Sequence, residues 1–338
     1  MTRSTRTSVP GVPAVASARS RLAATACGIG LRPLNNAVPL NAPGVWFARK
    51  LIATIMATAG PPVPGTTVVP VRSGPVRGEW VCAPGVDSRI VPRPGPNATR
   101  AIYYIHGSGY VLCSARTHRG LASQLSRKTG LPVFLTDYRL APEHRFPAAA
   151  DDVEAGYRWL LEQGIAAEDL VIAGDSAGGH LALDLLIENE RHSRPQPAGV
   201  ALFSPLIDLT FGLAAEQERR RRDPVISARI AARLPHAYTR DLPADSPRLH
   251  LRLPKGITLP PMLVQVGGAE MLSADARHLR DMVRAAGGTC ELEVWPGQVH
   301  VFQALPLLVP EADQALARVA EFLGAALNSS NTATERVG

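Results

Sequence analysis

A serine at position 176 is framed as Gly174-Asp175-Ser176-Ala177-Gly178. An apolar run over 169–173 leads into this pentad and an apolar, helix-favouring run over 177–190 leaves it. Strand, abrupt turn and helix is the context that a G-x-S-x-G nucleophile elbow requires. Small residues flank the serine because a turn this sharp leaves no room for neighbouring side chains. The turn lifts the Ser176 hydroxyl clear of the sheet edge and sets it at a helix N-terminus. Free N–H groups and the helix dipole favour developing negative charge there. A hydroxyl so placed is a nucleophile that needs a base, an acid to orient the base, and an oxyanion hole.

An elbow of this kind predicts the chain order serine, acid, histidine. His300 lies in Pro296-Gly297-Gln298-Val299-His300, just after a strand-like run at 290–295, at the sheet edge where open α/β folds place their sites. His278 falls mid-helix, His180 one turn into the elbow helix, and His236 and His250 in an insert, so His300 is the expected base. The acid belongs after the run at 261–266. Glu270 comes straight off that strand and is the better placed, with Asp275 as the alternative one turn into the next helix. There Asp275 would complement the helix dipole. The segment His106-Gly107-Ser108-Gly109-Tyr110 leaves the run at 101–105 as a glycine-rich turn. Such a turn can aim successive N–H groups at one point. Gly107 and Ser108, with Ala177 after the nucleophile, are the expected oxyanion donors, and His106 is expected to tether the loop.

These groups need a strand–helix scaffold, and the chain has its rhythm. Strands are expected at 101–105, 132–136, 169–173, 199–203, 261–266 and 290–295, with edge strands within 66–82. Helices are expected at 44–59, 117–128, 147–163, 177–190, 274–286 and 310–326. Strands alternating with helices specify an α/β sheet. The insert at 207–258 reads as a lid over the site, since long insertions in such sheets cluster there.

Bulk properties narrow the class further. The chain has 338 residues and a formal charge of +7, enough length for one large α/β domain. No apolar stretch reaches the 18 residues that suggest a membrane span. Cys27, Cys82, Cys113 and Cys290 match no metal or redox spacing and read as reduced thiols in a cytoplasmic protein. Residues 1–78 contain nine basic residues and no acid, so the remaining chain carries −2. The basic front end reads as a solvated arm over 1–30, with attraction to an anionic membrane surface as the functional alternative. The run Arg219 to Arg222 lacks aromatic interleaving and abuts Asp223, which argues against nucleic acid as a partner.

Four blocks in order give the chain a family likeness: H-G-S-G-Y at 106–110, D-Y-R-L-A-P-E-H-R-F-P-A-A at 137–149, G-D-S-A-G-G at 174–179 and P-G-Q-V-H-V-F at 296–302. With them the chain resembles the hormonesensitive-lipase-like carboxylesterases of the α/β-hydrolase superfamily over about 75–325. The resemblance implies an eight-stranded, mostly parallel sheet flanked by helices, with a helical cap from residues 31–65 and the 207–258 insert. The hydrolase body would run over 66–328, followed by a disordered tail at 329–338. It implies hydrolysis of short- to medium-chain esters through Ser176, His300 and Glu270, with neither metal nor organic cofactor, and a homodimer by analogy.

Two departures stand out. Ser108 replaces the middle glycine of the usual H-G-G-G, and Glu270 stands where the family usually has Asp. Rival readings are a membrane-surface hydrolase of longer acyl chains, an amidase or lactonase on the same residues, and a non-catalytic receptor like the plant gibberellin receptors. Those receptors lack the catalytic histidine, and His300 argues against that reading.

Overall fold

The apolar runs along the chain become the strands of a single sheet. The computed structural model describes residues 10–88, 99–240, 242 and 246–334. The strands are β1 (Thr67–Ser73), β2 (Val76–Cys82), β3 (Ala101–Ile105), β4 (Val133–Thr136), β5 (Leu170–Asp175), β6 (Gly199–Phe203), β7 (Met262–Gly267) and β8 (Cys290–Trp295). Among the described residues they form an eight-stranded sheet in the order β1-β2-β4-β3-β5-β6-β7-β8. β2 pairs antiparallel with β1 and β4, and every other pairing is parallel. The mostly parallel, helix-flanked sheet is the one expected from the sequence. Central parallel strands are covered on both faces, which is why β3, β5 and β6 are apolar without alternation.

The helices are α1 (Ala18–Ala26), α2 (Arg32–Ala37), α3 (Ala42–Ala59), α4 (Ala115–Thr129), α5 (Ala148–Glu162), α6 (Ala177–Arg191), α7 (Gly212–Arg220), α8 (Ala228–Ala231), α9 (Arg233–Thr239), α10 (Ser273–Ala285) and α11 (Glu311–Thr334). Side chains alternate across β3. Tyr103 and Ile105 pack in the core with residues of α5, α6 and α10, and Ile102 and Tyr104 pack on the opposite face with α4 and α11. α4 is set by a reciprocal Ser114–Thr117 capping box and stopped by left-handed Gly130, so it starts two residues before the expected 117 and ends one after the expected 128.

The N-terminal segment departs from the expected arm. Its first nine residues lie outside the described residues, but residues 10–31 are docked. Ser17 caps α1, and Ser17 and Ser20 both donate to Glu311 at the start of α11. Val12, Ala23 and Ala24 pack on the cluster of Trp295, Val299 and Phe302 beside the His300 loop. Low hydrophobicity hid this docking, because the segment is held by small apolar contacts and hydroxyl caps rather than an apolar stripe. At the other end, α11 runs on to Thr334, through residues expected to be a disordered tail, and 335–338 lie outside the described residues.

The insert supplies α7, α8 and α9, and α2 is stapled to it by polar bonds. Arg32 donates to the Asp223 carbonyl and pairs with Glu218 at 2.6 Å. Asn35 donates to Val225 O, and Ser227 donates to Asn36 Oδ1. Further along, Arg248 grips Asp184 of α6 at 2.9 Å and Asp151 of α5 at 3.0 Å.

Candidate functional site

β5 ends at Asp175 and α6 begins at Ala177, leaving Ser176 alone at the turn with φ 50° and ψ −120°. A serine in this region is strained by about 1–3 kcal/mol and persists only where its surroundings hold it. Here its N–H donates to Phe203 O and its carbonyl accepts from Leu206, both at 2.9 Å. Close approach explains the glycines: a Cβ on Gly178 would lie 2.1 Å from Ile105 O.

The carboxylate beside the serine is tied into the structure behind the site. Asp175 Oδ1 accepts from the Tyr104 hydroxyl at 2.8 Å and from the Gly107 N–H at 3.1 Å, and pairs with His118 at 3.2 Å. Burial would raise the Asp175 carboxyl, but the His118 charge and hydrogen bond outweigh it and hold it below its ordinary value. A Cβ on Gly107 would sit 2.3 Å from Asp175 Oδ2, so only glycine fits there. This corrects the oxyanion assignment: the Gly107 N–H is already committed to Asp175. Next to Ser176, the N–H groups of Ser108, Gly109 and Ala177 have no acceptor among the described residues.

Behind the loop, His106 stacks on Tyr138 at 4.1 Å between ring centroids, and its Nδ1 lies 3.1 Å from Gly107 O. Burial pushes this imidazole down to about 4, so it is neutral and suited to a tether, not a base. The Tyr138 hydroxyl donates to His106 O at 2.8 Å, giving the 137–149 block its place as a brace.

Glu270 and His300 meet. Glu270 Oε2 lies 2.6 Å from His300 Nδ1, and Glu270 is fully buried while the His300 side chain stays 28 % exposed. The other carboxylate oxygen accepts from the Gly267 N–H at 2.7 Å and from the Ser204 hydroxyl at 2.6 Å. Burial alone would lower the imidazole of His300. The Glu270 charge and hydrogen bond outweigh it, joined by Asp223 and Asp175, and raise His300 above its ordinary 6.5. Asp275 is elsewhere. It is buried in the first turn of α10, accepts from the N–H groups of Ile207 and Asp208, and is pushed up to about 7 by burial. It anchors the start of the insert, a contact that a helix-dipole reading does not anticipate. His180 is also buried, bonded to Leu249 O and edge-on to Tyr110.

Two side chains escaped the sequence reading. Ser204 follows β6 in an unremarkable Phe-Ser-Pro. Asp223 ends an arginine run that drew attention to charge instead. Asp223 is buried and accepts from Met271 N at 2.8 Å, next to Glu270. The strand-end position of Ser204, beside the loop that carries the acid, was its only available signal.

Ser176 and His300 face one cavity of about 190 Å³. Its wall is aliphatic, built by Leu31, Val38, Leu51, Ile52 and Ile55 from the N-terminal helices and by Ile226, Ile230 and Leu234 from the insert. Ser108, Asp223 and Asn35 are among its few polar residues. An apolar cavity ending at a serine, an imidazole and free N–H groups can take an acyl chain and stabilise a tetrahedral oxyanion at its carbonyl.

Comparison with known proteins places these features in a lineage. The model of a family described as alpha/beta hydrolase fold matches residues 102–304. An esterase of Acinetobacter venetianus is 35% identical over 78% of this chain and 83% of its own length. The carboxylesterase/phospholipase LipF of Mycobacterium tuberculosis is 33% identical over 91% of this chain and 82% of its own. The crystal structure of an esterase from the bacterial hormone-sensitive lipase family superposes with a TM-score of 0.80 at 32% identity, covering 93% of this chain and 100% of that one.

Proposed function

This chain belongs to the alpha/beta hydrolase fold family, in its hormone-sensitive-lipase-like branch, and is a carboxylic ester hydrolase; from that premise we propose that Ser176, His300 and Glu270 are its catalytic triad. The observation that carries the proposal is the 2.6 Å contact of Glu270 with His300 Nδ1, on the rim of the cavity that also exposes Ser176. With Nδ1–H donated to Glu270, Nε2 is left as the basic nitrogen.

The Ser176 Oγ attacks the ester carbonyl as His300 Nε2 takes its proton. Glu270 holds the resulting imidazolium in place. Negative charge on the carbonyl oxygen is received by the N–H groups of Ser108, Gly109 and Ala177, each worth a factor on the order of a hundred or more in rate. The imidazolium returns its proton to the leaving alkoxide, giving the alcohol and an acyl-Ser176. A water then attacks, with His300 as its base, and the acid is released.

The substrates we infer are esters of short to medium acyl chains. A cavity of about 190 Å³ lies below the roughly 300–1,000 Å³ of drug-sized ligand pockets. Apart from His300 and the buried Asp223, whose carboxylate is engaged by Met271 N–H, its lining is mainly aliphatic and suits an acyl group bound through its apolar surface. Retention of an imidazole paired to a carboxylate favours an enzyme over a receptor.

Hydrolysis of p-nitrophenyl esters from acetate to palmitate, with Ser176→Ala as control, tests the proposal. Activity highest on short and medium chains and lost in the variant is the expected result. Undiminished turnover in Ser176→Ala would refute the triad, and a maximum at palmitate would refute the chain-length assignment.

A further inference from the structure

The exposed apolar side chains of this protein are not spread over its surface. Among the described residues, the large ones are Val15, Leu22, Ile29, Leu34, Trp46, Phe47, Val69, Leu307 and Leu308. All but Val69 lie on the N-terminal segment 15–47 or on the 307–308 loop. That loop touches this segment directly: Arg19 donates to Leu307 O, and Leu307 N donates to Ala59 O at the end of α3. Trp46 and Phe47 are 63 % and 43 % exposed, so α3 presents two aromatic rings to solvent. Scattered single exposures need no explanation, but a concentration of this kind marks an interaction surface.

Charge on the same helices has one sign. Arg19 and Arg21 donate only to backbone carbonyls, and Lys50 lies over the Trp46 ring at 6.0 Å. None of the three meets a carboxylate among the described residues. Arg32 and Arg49 do, at Glu218 and Glu143, and are already neutralised. Apolar side chains, an exposed tryptophan and unpaired cations together are the composition of a face that lies in the headgroup region of an anionic bilayer. A second copy of the chain fits poorly, because its matching face carries the same unpaired positive charges.

We propose that α1, α2 and α3 form a docking face for an anionic phospholipid surface. The same helices wall the cavity: Leu31, Val38, Leu51 and Ile52 point into it while Leu34, Trp46 and Phe47 point out. An ester leaving the bilayer would therefore cross a single helical layer to reach Ser176. No described helix is long and apolar enough to span a membrane, so the contact is peripheral. The inference about substrate delivery rests on the esterase reading above, while the docking itself does not.

The test uses the full chain with vesicles of phosphatidylcholine alone or with 30 mole per cent phosphatidylglycerol, about a typical anionic fraction for such assays. Sedimentation and Trp46 emission report binding. Trp46 is the tryptophan most open to solvent, since Trp80 and Trp295 are buried and Trp159 is partly so. The expected result is binding to the anionic vesicles with a blue-shifted emission, weakened by salt. Arg19→Gln/Arg21→Gln/Lys50→Gln should lower partitioning roughly a hundredfold, at about fivefold per cation. Trp46→Ser/Phe47→Ser should weaken binding while leaving hydrolysis of a soluble short-chain ester unchanged. Ser176→Ala should bind like the parent, which separates docking from catalysis. Equal binding to both vesicle types, or no effect of either set of substitutions, would overturn the proposal. So would concentration-dependent self-association abolished by Trp46→Ser/Phe47→Ser, which would assign the face to a second copy.

Discussion

The Ser204 hydroxyl donates to Glu270 Oε1 at 2.6 Å and accepts from the N–H of Val301, the residue after His300, at 3.1 Å. One side chain at the end of β6 thus holds both the acid and the histidine loop. Ser204 itself sits at φ 48°, in the left-handed region, which a residue occupies when its surroundings fix it there. Ser204→Ala leaves Val301 N–H without an acceptor and Glu270 Oε1 with Gly267 N–H alone. We expect kcat to fall about tenfold with KM nearly constant, the loss of one buried hydrogen bond to a charged group. Because Ser204 acts through Glu270, the pH profile should shift as well, and Ser204→Thr should restore part of both. Unchanged kcat and profile in Ser204→Ala would show that Gly267 suffices to position the acid.

The pH dependence of hydrolysis follows from His300. The base must be neutral to accept the Ser176 proton, and its neighbours raise its pKa above 6.5. The acidic limb of kcat/KM should therefore have its midpoint above 6.5, with activity lost as pH falls through it. Glu270→Gln removes the largest upward contribution and should move that midpoint down. It should also cut kcat by a factor on the order of 10⁴, since the imidazole loses its fixed tautomer. A limb unmoved by Glu270→Gln would mean that another group titrates.

How far the sequence led is clearest at individual residues. Strands β3 and β6 fall where apolar runs placed them, since a run buried on both faces has no other use, and β8 falls where an alternating run placed an edge strand. The turn at Ser176 and the meeting of Glu270 with His300 were legible because an elbow implies a chain order and a strand-end position for each residue. Gly107 was misassigned because the motif specifies a loop of N–H groups but not which one the fold consumes. That choice is made by Asp175, from a strand partner in space. Docking of residues 10–31 was hidden for a related reason: Ser17 and Ser20 find Glu311 almost the whole chain away. Contacts made by hydroxyls and small side chains leave no periodic trace.

Acid should destabilise the protein through a buried histidine outside the site. His180 is enclosed on α6, and burial pushes its imidazole down to about 4 from 6.5. A lowered folded-state pKa means that the unfolded chain takes up the proton first. Stability contributed by neutral His180 is full above pH 6.5 and lost as pH falls toward 4, by up to about 3 kcal/mol. Urea melts between pH 7 and 4 should show this slope. In His180→Gln the slope should flatten, although the variant starts lower at neutral pH. An identical slope in both proteins would assign the acid sensitivity to other groups.

Ser108 occupies a glycine's place in the oxyanion loop, with φ 79°, and its Oγ lies 2.8 Å from Cys113 Sγ. Burial pushes the Cys113 thiol up to about 11, so the S–H is intact and available as a donor. Cys113 is left-handed too, at φ 64°, so the pair links two strained turns of one loop. The bond offsets part of the strain, about 1–3 kcal/mol for a non-glycine residue in this region. Cys113→Ala should therefore lower kcat several-fold by loosening the donors at Ser108 and Gly109. In a Ser108→Gly background the same change should be nearly silent, giving a coupling of about 1 kcal/mol in a double-mutant cycle. Ser108→Gly alone removes a side chain from the cavity wall and should raise turnover of branched acyl esters relative to acetate. Additive effects of Ser108→Gly and Cys113→Ala would show that the two residues act separately, and that the loop keeps its shape through Asp175 and Tyr138.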